Sequence, residues 1–326
     1  MKSLFDIQIN GFAGVDFQQD ALEATDLRRA VDALAEHQTR RFFLTLITDR
    51  ISALRGRLIH LENLRAEDPV VAAAVCGYHL EGPWLSPEAG YRGAHNPELK
   101  GNPEYEAFQS LQDAAGGNIR LLTLAPELPG SMNFIRQVLG QGTEVSIGHS
   151  NADEATIDAA VRAGVRFCTH LGNGVPTELH RHDNVVQRLL SRDELHAFFV
   201  PDGIHLPPNV LKNMQRAKPW DRFWFTTDAM AAAGAPPGRY RLGAHELEVG
   251  EDRVVRMPGS PQFAGSALEP DRAAELAARF TGIPLRVARS RMSEELAKLF
   301  EIELPELDSQ KNFERTPKNH AKRTNN

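Results

Sequence analysis

Residues 144–170 read EVSIGHSNADEATIDAAVRAGVRFCTH, which has the pattern of one complete strand–helix–strand unit. An apolar run over residues 144–148 is followed by a helical segment that opens at Ser150. That segment ends at Gly164, and glycine is typical of helix ends. A second apolar run, residues 165–169, follows directly. Because two strands joined by a helix are usually parallel neighbours in one sheet, this stretch predicts an α/β fold.

The same alternation continues through most of the chain. Eight strands within about 230 residues suit a closed (β/α)₈ barrel, the TIM barrel. The alternative is an open doubly wound sheet, which usually carries a G-x-G-x-x-G turn after its first strand. The chain instead has Asn10-Gly-Phe-Ala-Gly14 there, which favours the barrel. The predicted strands are residues 5–9, 42–47, 75–80, 120–124, 144–148, 165–169, 196–200 and 223–227.

The composition is that of a globular protein, with 41% hydrophobic and 25% charged side chains among 326 residues. The net charge is −6 and no basic block lies in the body of the chain, so we expect no nucleic-acid partner. No apolar run approaches the roughly 20 residues that span a bilayer, so we expect no membrane association. Cys76 and Cys168 lie in strand-like runs, which favours buried, reduced thiols in a cytoplasmic protein.

We expect one catalytic barrel domain over residues 1–304 and a disordered polar tail over residues 305–326. Within that tail, residues 311–326 hold five Lys or Arg against one Glu. This composition is typical of a solvated charge run, although a nucleic-acid-binding arm would have it too. Between the eighth strand and the tail we expect a small polar hairpin or loop over 244–255 and helices over 270–281 and 292–300.

Groups that bind metals or carry protons follow five or six of the predicted strands. In barrels, the carboxyl ends of the strands meet at one face and hold the catalytic groups. We therefore expect these side chains to lie near one another although they are far apart in the sequence. They are Gln8, Asn10, His79, Glu81, His149, His170, Asp202, His205 and Asp228.

Glu81, His149 and His170 form the sharpest subset of these residues. One carboxylate and two imidazoles supply three ligands and leave a tetrahedral Zn²⁺ one open position for water. A single histidine is more often a core or surface residue, but three ligands at successive strand ends favour a metal site. We expect one divalent ion, with Zn²⁺ favoured and Fe²⁺, Co²⁺ or Mn²⁺ as alternatives for the same ligands.

Asp228 ends the last predicted strand, in Phe223-Trp-Phe-Thr-Thr-Asp-Ala229. A carboxylate at that point would face the open coordination position, where it could take a proton from water and return it to a leaving group. The alternative is a helix N-cap, for which aspartate is well suited. Beside a metal site, the catalytic role is favoured.

Seven segments together resemble the N-acetylglucosamine-6-phosphate deacetylase family of the amidohydrolase superfamily. The resemblance runs in order from residue 6 to about residue 300, and its most specific part is His-Leu-Glu-Gly-Pro-Trp with a following His-Asn-Pro. It implies a metal-dependent (β/α)₈ barrel of amino sugar metabolism that releases acetate and glucosamine 6-phosphate from the sugar phosphate. The segments are Asp6-Ile-Gln-Ile-Asn-Gly11, His79-Leu-Glu-Gly-Pro-Trp84, Gly93-Ala-His-Asn-Pro97, Gly148-His-Ser-Asn151, Thr169-His-Leu-Gly-Asn173, Asp202-Gly-Ile-His205 and Thr227-Asp-Ala229.

The resemblance also implies roles for single residues. Glu81, His149 and His170 match the metal ligands, and Asp228 matches the catalytic acid/base. His95 matches a catalytic residue near the scissile acetamide, where a donor stabilises the developing oxyanion. Arg181 and His205 match the phosphate-binding pair. The implied substrate-binding residues are Ala94, His95, Asn173, Gly174, Arg181 and His205.

The first strand differs from that of many amidohydrolases, which carry two histidines there and bind a second metal. Gln8 and Asn10 occupy these positions, and amides bind Zn²⁺ poorly compared with imidazole. We therefore expect one metal, with Gln8, Asn10 and His79 placed around its ligands rather than bound to it. The family's small β-sandwich domain, built from both chain ends, is expected to be absent. The implied partner is a small-molecule sugar phosphate, and the family's dimers leave a homodimer open.

Two other functions fit the same residues. The first is a deacylase or amidohydrolase that acts on another N-acyl substrate, and hydrolysis of substrates without phosphate would favour it. The second is a catalytically silent barrel that binds sugar phosphate, and binding without acetate release would favour it.

Overall fold

The computed structural model describes residues 1–96, 98–99, 101–258 and 263–307. Its strands are β1 (Leu4–Ile9), β2 (Gly11–Phe12), β3 (Val15–Asp16), β4 (Thr39–Ile47), β5 (Val75–Glu81), β6 (Ile119–Leu124), β7 (Glu144–Ile147), β8 (Phe167–Cys168), β9 (His196–Phe199), β10 (Phe223–Phe225), β11 (Gly238–Leu242), β12 (His245–Val249) and β13 (Val255–Arg256). Its helices are α1 (Ala24–Glu36), α2 (Ile51–Glu67), α3 (Pro69–Ala74), α4 (Tyr105–Ala114), α5 (Ser131–Gly140), α6 (Glu154–Ala163), α7 (Val185–Leu190), α8 (Pro208–Ala217), α9 (Pro270–Thr281), α10 (Leu285–Ser290) and α11 (Glu294–Leu299).

Eight parallel strands form one sheet whose order follows the chain: β1, β4, β5, β6, β7, β8, β9 and β10. The two edges of this sheet meet, because Ile9 forms a parallel bridge with Ala229. The amide of Asn10 also donates a hydrogen bond to the Ala229 carbonyl at 2.7 Å. The eight strands are those predicted, and they close into the predicted (β/α)₈ barrel rather than an open doubly wound sheet.

The Asp6 carboxylate strengthens the seam between β1 and β10. It accepts hydrogen bonds from the hydroxyl of Thr226 at 2.5 Å and from the amide and hydroxyl of Thr227 at 3.0 and 2.7 Å. These two threonines lie in the predicted eighth strand, but β10 ends at Phe225. Side-chain hydrogen bonds to Asp6 thus replace part of the backbone ladder at the seam.

The strand–helix–strand unit of residues 144–170 forms as predicted, with a later helix start. Asp153 caps α6, because its side chain accepts a hydrogen bond from the Thr156 amide at 2.8 Å. Gly164 follows the helix with φ 111°, a left-handed conformation that suits glycine. The helix therefore occupies the crossover that makes β7 and β8 parallel neighbours.

Aromatic rings fill the barrel interior on the amino-terminal side of the strand ends. The ring of Phe300 lies 5.2 Å from those of Phe43 and Phe167, and Phe5 lies 5.1 Å from Phe43, measured between ring centroids. Phe300 directly follows α11, so the helix at the end of the domain closes this side of the barrel. A packed interior of this kind leaves the opposite face for chemistry.

The segment after β10 forms a small antiparallel sheet of β11, β12 and β13. The hairpin predicted over 244–255 is present, although its first strand, β11, begins earlier. The apolar side chains Leu242, Leu247 and Val249 of this sheet pack against Met230 and the alanines that follow it. The small sheet therefore covers the loop that leaves the last barrel strand.

The first residues of the chain pair with residues 305–307. The Ser3 amide donates to the Pro305 carbonyl at 2.9 Å, and the Leu307 amide donates to the Met1 carbonyl at 2.8 Å. The remainder of the predicted tail, residues 308–326, lies outside the described residues. No helix in the described part of the chain is long and apolar enough to cross a bilayer.

Candidate metal centre and active site

The three predicted metal ligands meet at the carboxyl ends of three barrel strands. Glu81 is the last residue of β5, while His149 and His170 follow β7 and β8. Oε1 of Glu81 lies 3.1 Å from Nε2 of His149 and 2.8 Å from Nε2 of His170. All three side chains are more than nine-tenths buried. The barrel thus converges two imidazoles on one carboxylate oxygen.

The hydrogen bonding of His149 indicates that a cation fits between these groups. Its Nδ1 lies 2.8 Å from the carbonyl oxygen of Tyr91, which can only accept, so Nδ1 carries a proton. In the neutral ring, Nε2 then presents a lone pair to the Glu81 carboxylate. Two buried acceptors at 3.1 Å repel each other unless a proton or a metal ion lies between them. The donor set therefore fits a divalent metal ion.

The negative charge of Glu81 and a proton on His170 stabilise each other. Burial alone would raise the pKa of Glu81, but hydrogen bonds from His149 and His170 hold that pKa well below its usual value. The same carboxylate raises the pKa of His170, against the lowering effect of burial. The centre is therefore built to hold positive charge at the Glu81 oxygens.

The backbone turns sharply just after the strands, at the residues whose side chains form the site. His149, His170 and Asp228 have φ values of 51°, 29° and 51°, in the left-handed region that non-glycine residues rarely adopt. Such conformations cost roughly 1–3 kcal/mol each and concentrate at functional sites. A Cβ at Gly174 would lie 2.7 Å from Nδ1 of His149, and one at Gly93 would lie 3.0 Å from its Cε1. Two glycines therefore make room for this ring.

His95 lies against the other oxygen of the same carboxylate. Its Nε2 is 3.9 Å from Oε2 of Glu81, and its ring centroid is 4.5 Å from that of His149. One ligand atom from each of these three residues lies within 4.8 Å of the others, so His95 also has the position of a metal ligand. Burial lowers the pKa of His95 to about 3, which keeps the ring neutral. Its Nδ1 has no hydrogen-bond partner in the described part of the chain.

Asp228 follows β10 and is 9% exposed. Nδ2 of Asn10 donates to Oδ1 of Asp228 at 2.7 Å. Burial and the negative charge of Glu81 raise the pKa of Asp228 to about 7, a value suited to a group that accepts and returns a proton at neutral pH. No helix begins between Asp228 and β11, a stretch that the structure describes throughout, so Asp228 caps no helix there.

The three residues expected around the ligands are all buried. Nδ1 of His79 lies 3.1 Å from the Ile7 carbonyl oxygen, and its Nε2 lies 2.7 Å from Oγ1 of Thr123. Both ring nitrogens are therefore hydrogen-bonded, and neither is free for a metal. Both amide atoms of Gln8, and Oδ1 of Asn10, lack partners among the described residues. Because buried polar groups are normally satisfied, these amides indicate that water or a ligand belongs beside them.

Two of the predicted sugar-binding residues adjoin a metal ligand. The amide and Nδ2 of Asn173 both donate to the His170 carbonyl, at 2.9 and 3.1 Å. Gly174 follows with φ 63°, directly over the His149 ring. Ala94, from the loop that carries His95, packs against the small sheet. The loops after β5 and β8 therefore border the centre on two sides.

The two predicted phosphate ligands lie in different settings. Nδ1 of His205 is 2.6 Å from Oδ2 of Asp202, a contact that orients the ring. A positive charge on His205 partly offsets the rise in the pKa of Asp228 that burial and Glu81 cause. Arg181 is exposed in the loop between β8 and α7. Its side chain makes no hydrogen bond or ion pair within the described residues. The structure thus brings His205 near Asp228 but shows no contact between Arg181 and the other predicted site residues.

Two contacts of the site carry no recognisable sequence signal. The Tyr91 carbonyl orients His149, and a backbone oxygen can come from any residue type. The hydroxyl of Thr123 bonds His79 and also Oγ1 of Thr169 at 2.7 Å. Threonine is common in strands, so its role beneath the centre becomes visible only when the barrel closes.

The chain combines a parallel (β/α)₈ barrel with a buried carboxylate–imidazole cluster at the strand ends and an aspartate beside that cluster. This combination defines a metal-dependent amidohydrolase. The chain is 34% identical over 307 residues to N-acetylglucosamine-6-phosphate deacetylase from Bos taurus, a match that covers 91% of this chain and 73% of that protein. The chain therefore belongs to the N-acetylglucosamine-6-phosphate deacetylase family. No protein-family model matches it.

Two further comparisons agree with this family. N-acetylgalactosamine-6-phosphate deacetylase from Escherichia coli O157:H7 is 32% identical over 282 residues, covering 85% of this chain and 72% of that protein. A mutant N-acetyl-D-glucosamine-6-phosphate deacetylase from Mycobacterium smegmatis, solved with N-acetyl-D-glucosamine-6-phosphate, superposes with a TM-score of 0.83 at 27% identity. That superposition covers 92% of this chain and 77% of the other. The shared region therefore includes nearly all of the barrel.

Proposed function

We propose that this chain hydrolyses the N-acetyl group of N-acetylglucosamine 6-phosphate to give acetate and glucosamine 6-phosphate. The observation that carries the proposal is the convergence of Glu81, His149 and His170 near Asp228. In the proposal, these residues supply three metal ligands and one proton carrier at the same end of the barrel. Family membership supports the choice of a sugar phosphate as substrate.

Acetate release by the purified, metal-loaded protein tests this proposal. We expect N-acetylglucosamine 6-phosphate to have a kcat/KM at least about 100-fold above that of unphosphorylated N-acetylglucosamine, because remote binding energy positions the amide. N-acetylgalactosamine 6-phosphate is the comparison substrate, since the Escherichia coli relative is named for it. Equal hydrolysis without phosphate would favour a broader deacylase, and binding without any acetate release would favour a silent barrel.

One divalent ion held by Glu81, His149 and His170 is part of the proposal. Zn²⁺ is favoured for this carboxylate–imidazole set, although Fe²⁺, Co²⁺ and Mn²⁺ accept the same ligands. The ion supplies Lewis acidity, which lowers the pKa of water and polarises a carbonyl group. Metal analysis of the purified protein tests the expected stoichiometry of one ion per chain.

Asp228 carries the proton in the proposed reaction. Its carboxylate accepts a proton from the attacking water as the new carbon–oxygen bond forms at the acetyl carbonyl. It then gives that proton to the departing nitrogen as the carbon–nitrogen bond breaks, so acetate and the free amine result. His95, whose ring is neutral, donates an N–H to the developing oxyanion.

The remaining substrate contacts are assigned to the loops around the centre. Asn173 borders the His170 backbone and Gly174 borders the His149 ring, while Ala94 lies between Gly93 and His95, which both adjoin that ring; the sugar and its acetamide would lie here. Arg181 and His205 would bind the phosphate. Arg181 has no partner among the described residues, so its guanidinium is available for an anion.

Arg181→Ala is expected to raise the KM for N-acetylglucosamine 6-phosphate about tenfold or more and to change kcat less than about threefold. The reason is that the guanidinium would bind a group remote from the reacting bond. Steady-state kinetics measure both constants. Arg136→Ala, at an exposed position on α5, is the matched control and should leave both unchanged. An unchanged KM in the Arg181 variant would remove Arg181 from the phosphate site.

The rate is expected to fall as the pH drops through the pKa of Asp228, because the carboxyl must be ionised to accept a proton. Burial and Glu81 place that pKa at about 7 in the metal-free centre. A bound cation offsets the charge of Glu81, so the acid limb of kcat/KM should lie below pH 7 in the loaded enzyme. A pH–rate profile checks this, and a rate that rises on acidification would contradict it.

We infer a cytoplasmic location from the thiols. Cys76 and Cys168 are both free, and burial raises the pKa of each to about 12, which keeps them unreactive. The family's dimers leave a homodimer open for this chain, and its mass in solution at micromolar concentration would settle the oligomeric state.

A further inference from the structure

Asn10 connects the first barrel strand to Asp228 through its side chain. Its Nδ2 donates to Oδ1 of Asp228 at 2.7 Å, and the two residues are only 1% and 9% exposed. They are 218 positions apart in the chain, and the bond crosses the seam where β1 meets β10. No other hydrogen bond to this carboxylate occurs among the described residues.

The backbone of Asn10 is held from both sides of its strand. Its amide donates to the Ala229 carbonyl at 2.7 Å, which ties it to the residue next to Asp228. Its carbonyl accepts from the Phe17 amide at 3.1 Å and from Nε2 of Gln18 at 3.3 Å. Because the side chain is short, these bonds place the Nδ2 donor at a defined point beside Asp228.

We propose that Asn10 is a positioning residue for Asp228, which holds Oδ1 at the seam so that Oδ2 is free to transfer the proton. The inference rests on the proposed function, since it assumes that Asp228 carries the proton. It differs from the sequence expectation, which placed Asn10 around the metal ligands. The structure instead gives its side-chain donor to the acid/base group.

An amide suits this position for an electrostatic reason. A carboxylate there would repel Asp228, and an imidazole would add a metal ligand on the first strand. The neutral amide donates one hydrogen bond and leaves the charge of the site unchanged. That bond favours the ionised form of Asp228, whose other charged neighbours are Glu81, His170 and His205.

Two Asn10 variants test the proposal in the metal-loaded enzyme. Asn10→Ala is expected to lower kcat about 10- to 100-fold, with KM and metal content within about twofold of the parent. Asn10→Asp keeps the shape but replaces the donor with an acceptor. It should lower kcat at least as much. It should also move the acid limb of the pH profile to a higher pH than in the parent enzyme, because two adjacent carboxylates share a proton.

A double-mutant cycle separates positioning from general damage. In the Asp228→Asn background, adding Asn10→Ala should change the residual rate less than about twofold, because the bond that it removes no longer acts on a proton carrier. Gln112→Ala is the matched control, since it removes a buried amide that bonds to Ile119 and Thr143 and contacts neither Asn10 nor Asp228. It should lower Tm while leaving the acid limb in place.

Parental kcat and an unshifted acid limb in both Asn10 variants would overturn the inference and leave the proposed function intact. Near-parental turnover in Asp228→Asn would instead overturn the proposed function. If Asn10→Ala fails to fold, the isosteric Asn10→Asp decides the question alone. An Asn10→Asp variant with parental kinetics would show that only the shape of the residue matters.

Discussion

Asp228→Asn is expected to bind its full complement of metal and to lose kcat by about 100- to 10,000-fold, the range that general acid–base catalysis contributes. The amide has the size of the carboxylate but can neither accept the proton of water nor deliver it to the departing nitrogen. Asp228 forms no part of the Glu81, His149 and His170 cluster, so metal content should not change. Metal analysis and acetate release on the same preparation measure both quantities.

The control for this variant is Asp221→Asn, which removes an exposed carboxylate just before the same strand, β10. It should retain parental kinetics. The residual activity of Asp228→Asn should also lose the acid limb of its pH profile, because the titrating base is gone. Near-parental turnover with bound metal would remove Asp228 from the proton-transfer role.

Glu81→Gln is expected to abolish stable metal binding and to reduce activity to background. A neutral amide is a weak ligand, and Glu81 is the carboxylate on which two imidazoles converge. The loss of affinity should exceed the roughly 10- to 100-fold that follows from removing a group that merely orients a ligand. Metal titration measures the affinity. A chelator should lower the Tm of the parent and leave that of the variant unchanged, because only the parent gains stability from the ion.

The matched control is Glu62→Gln, on α2. Oε1 of Glu62 accepts a hydrogen bond from the hydroxyl of Tyr78, which lies on the same strand as Glu81, at 2.6 Å. This variant should keep the parental metal content and activity, although its stability should fall. One tightly bound ion per chain in Glu81→Gln, with parental turnover, would place the metal centre elsewhere.

Much of the barrel could be predicted because its strands are buried on both faces and therefore appear as apolar runs. The eight predicted runs correspond to the eight parallel strands, and the helix predicted over 270–281 is α9. The boundaries were less accurate where a side chain interrupts the ladder. β10 ends at Phe225, two residues before the predicted end, and the Thr227 amide donates to the Asp6 carboxylate rather than to a neighbouring strand. This contact depends on barrel closure.

Candidate site residues could be predicted for a related reason. The carboxyl ends of the parallel barrel strands lie at one face. Polar residues that follow several strands therefore predict one shared site, before the geometry of that site is known. The roles came from resemblance to a family, and the structure tests only their placement. It brings Glu81, His149 and His170 together and places Asp228 beside Asn10. It shows no contact that links Arg181 to them among the described residues.

Local patterns of apolar and polar residues are enough to specify the succession of strands and helices, and which side chains stand at the strand ends. The atoms that meet there depend on closure of the sheet. The pairing of Asn10 with Asp228, and the orientation of His149 by the Tyr91 carbonyl, join residues far apart in the chain. No periodicity encodes such contacts, because they arise only when β1 meets β10 and a loop folds back over the centre.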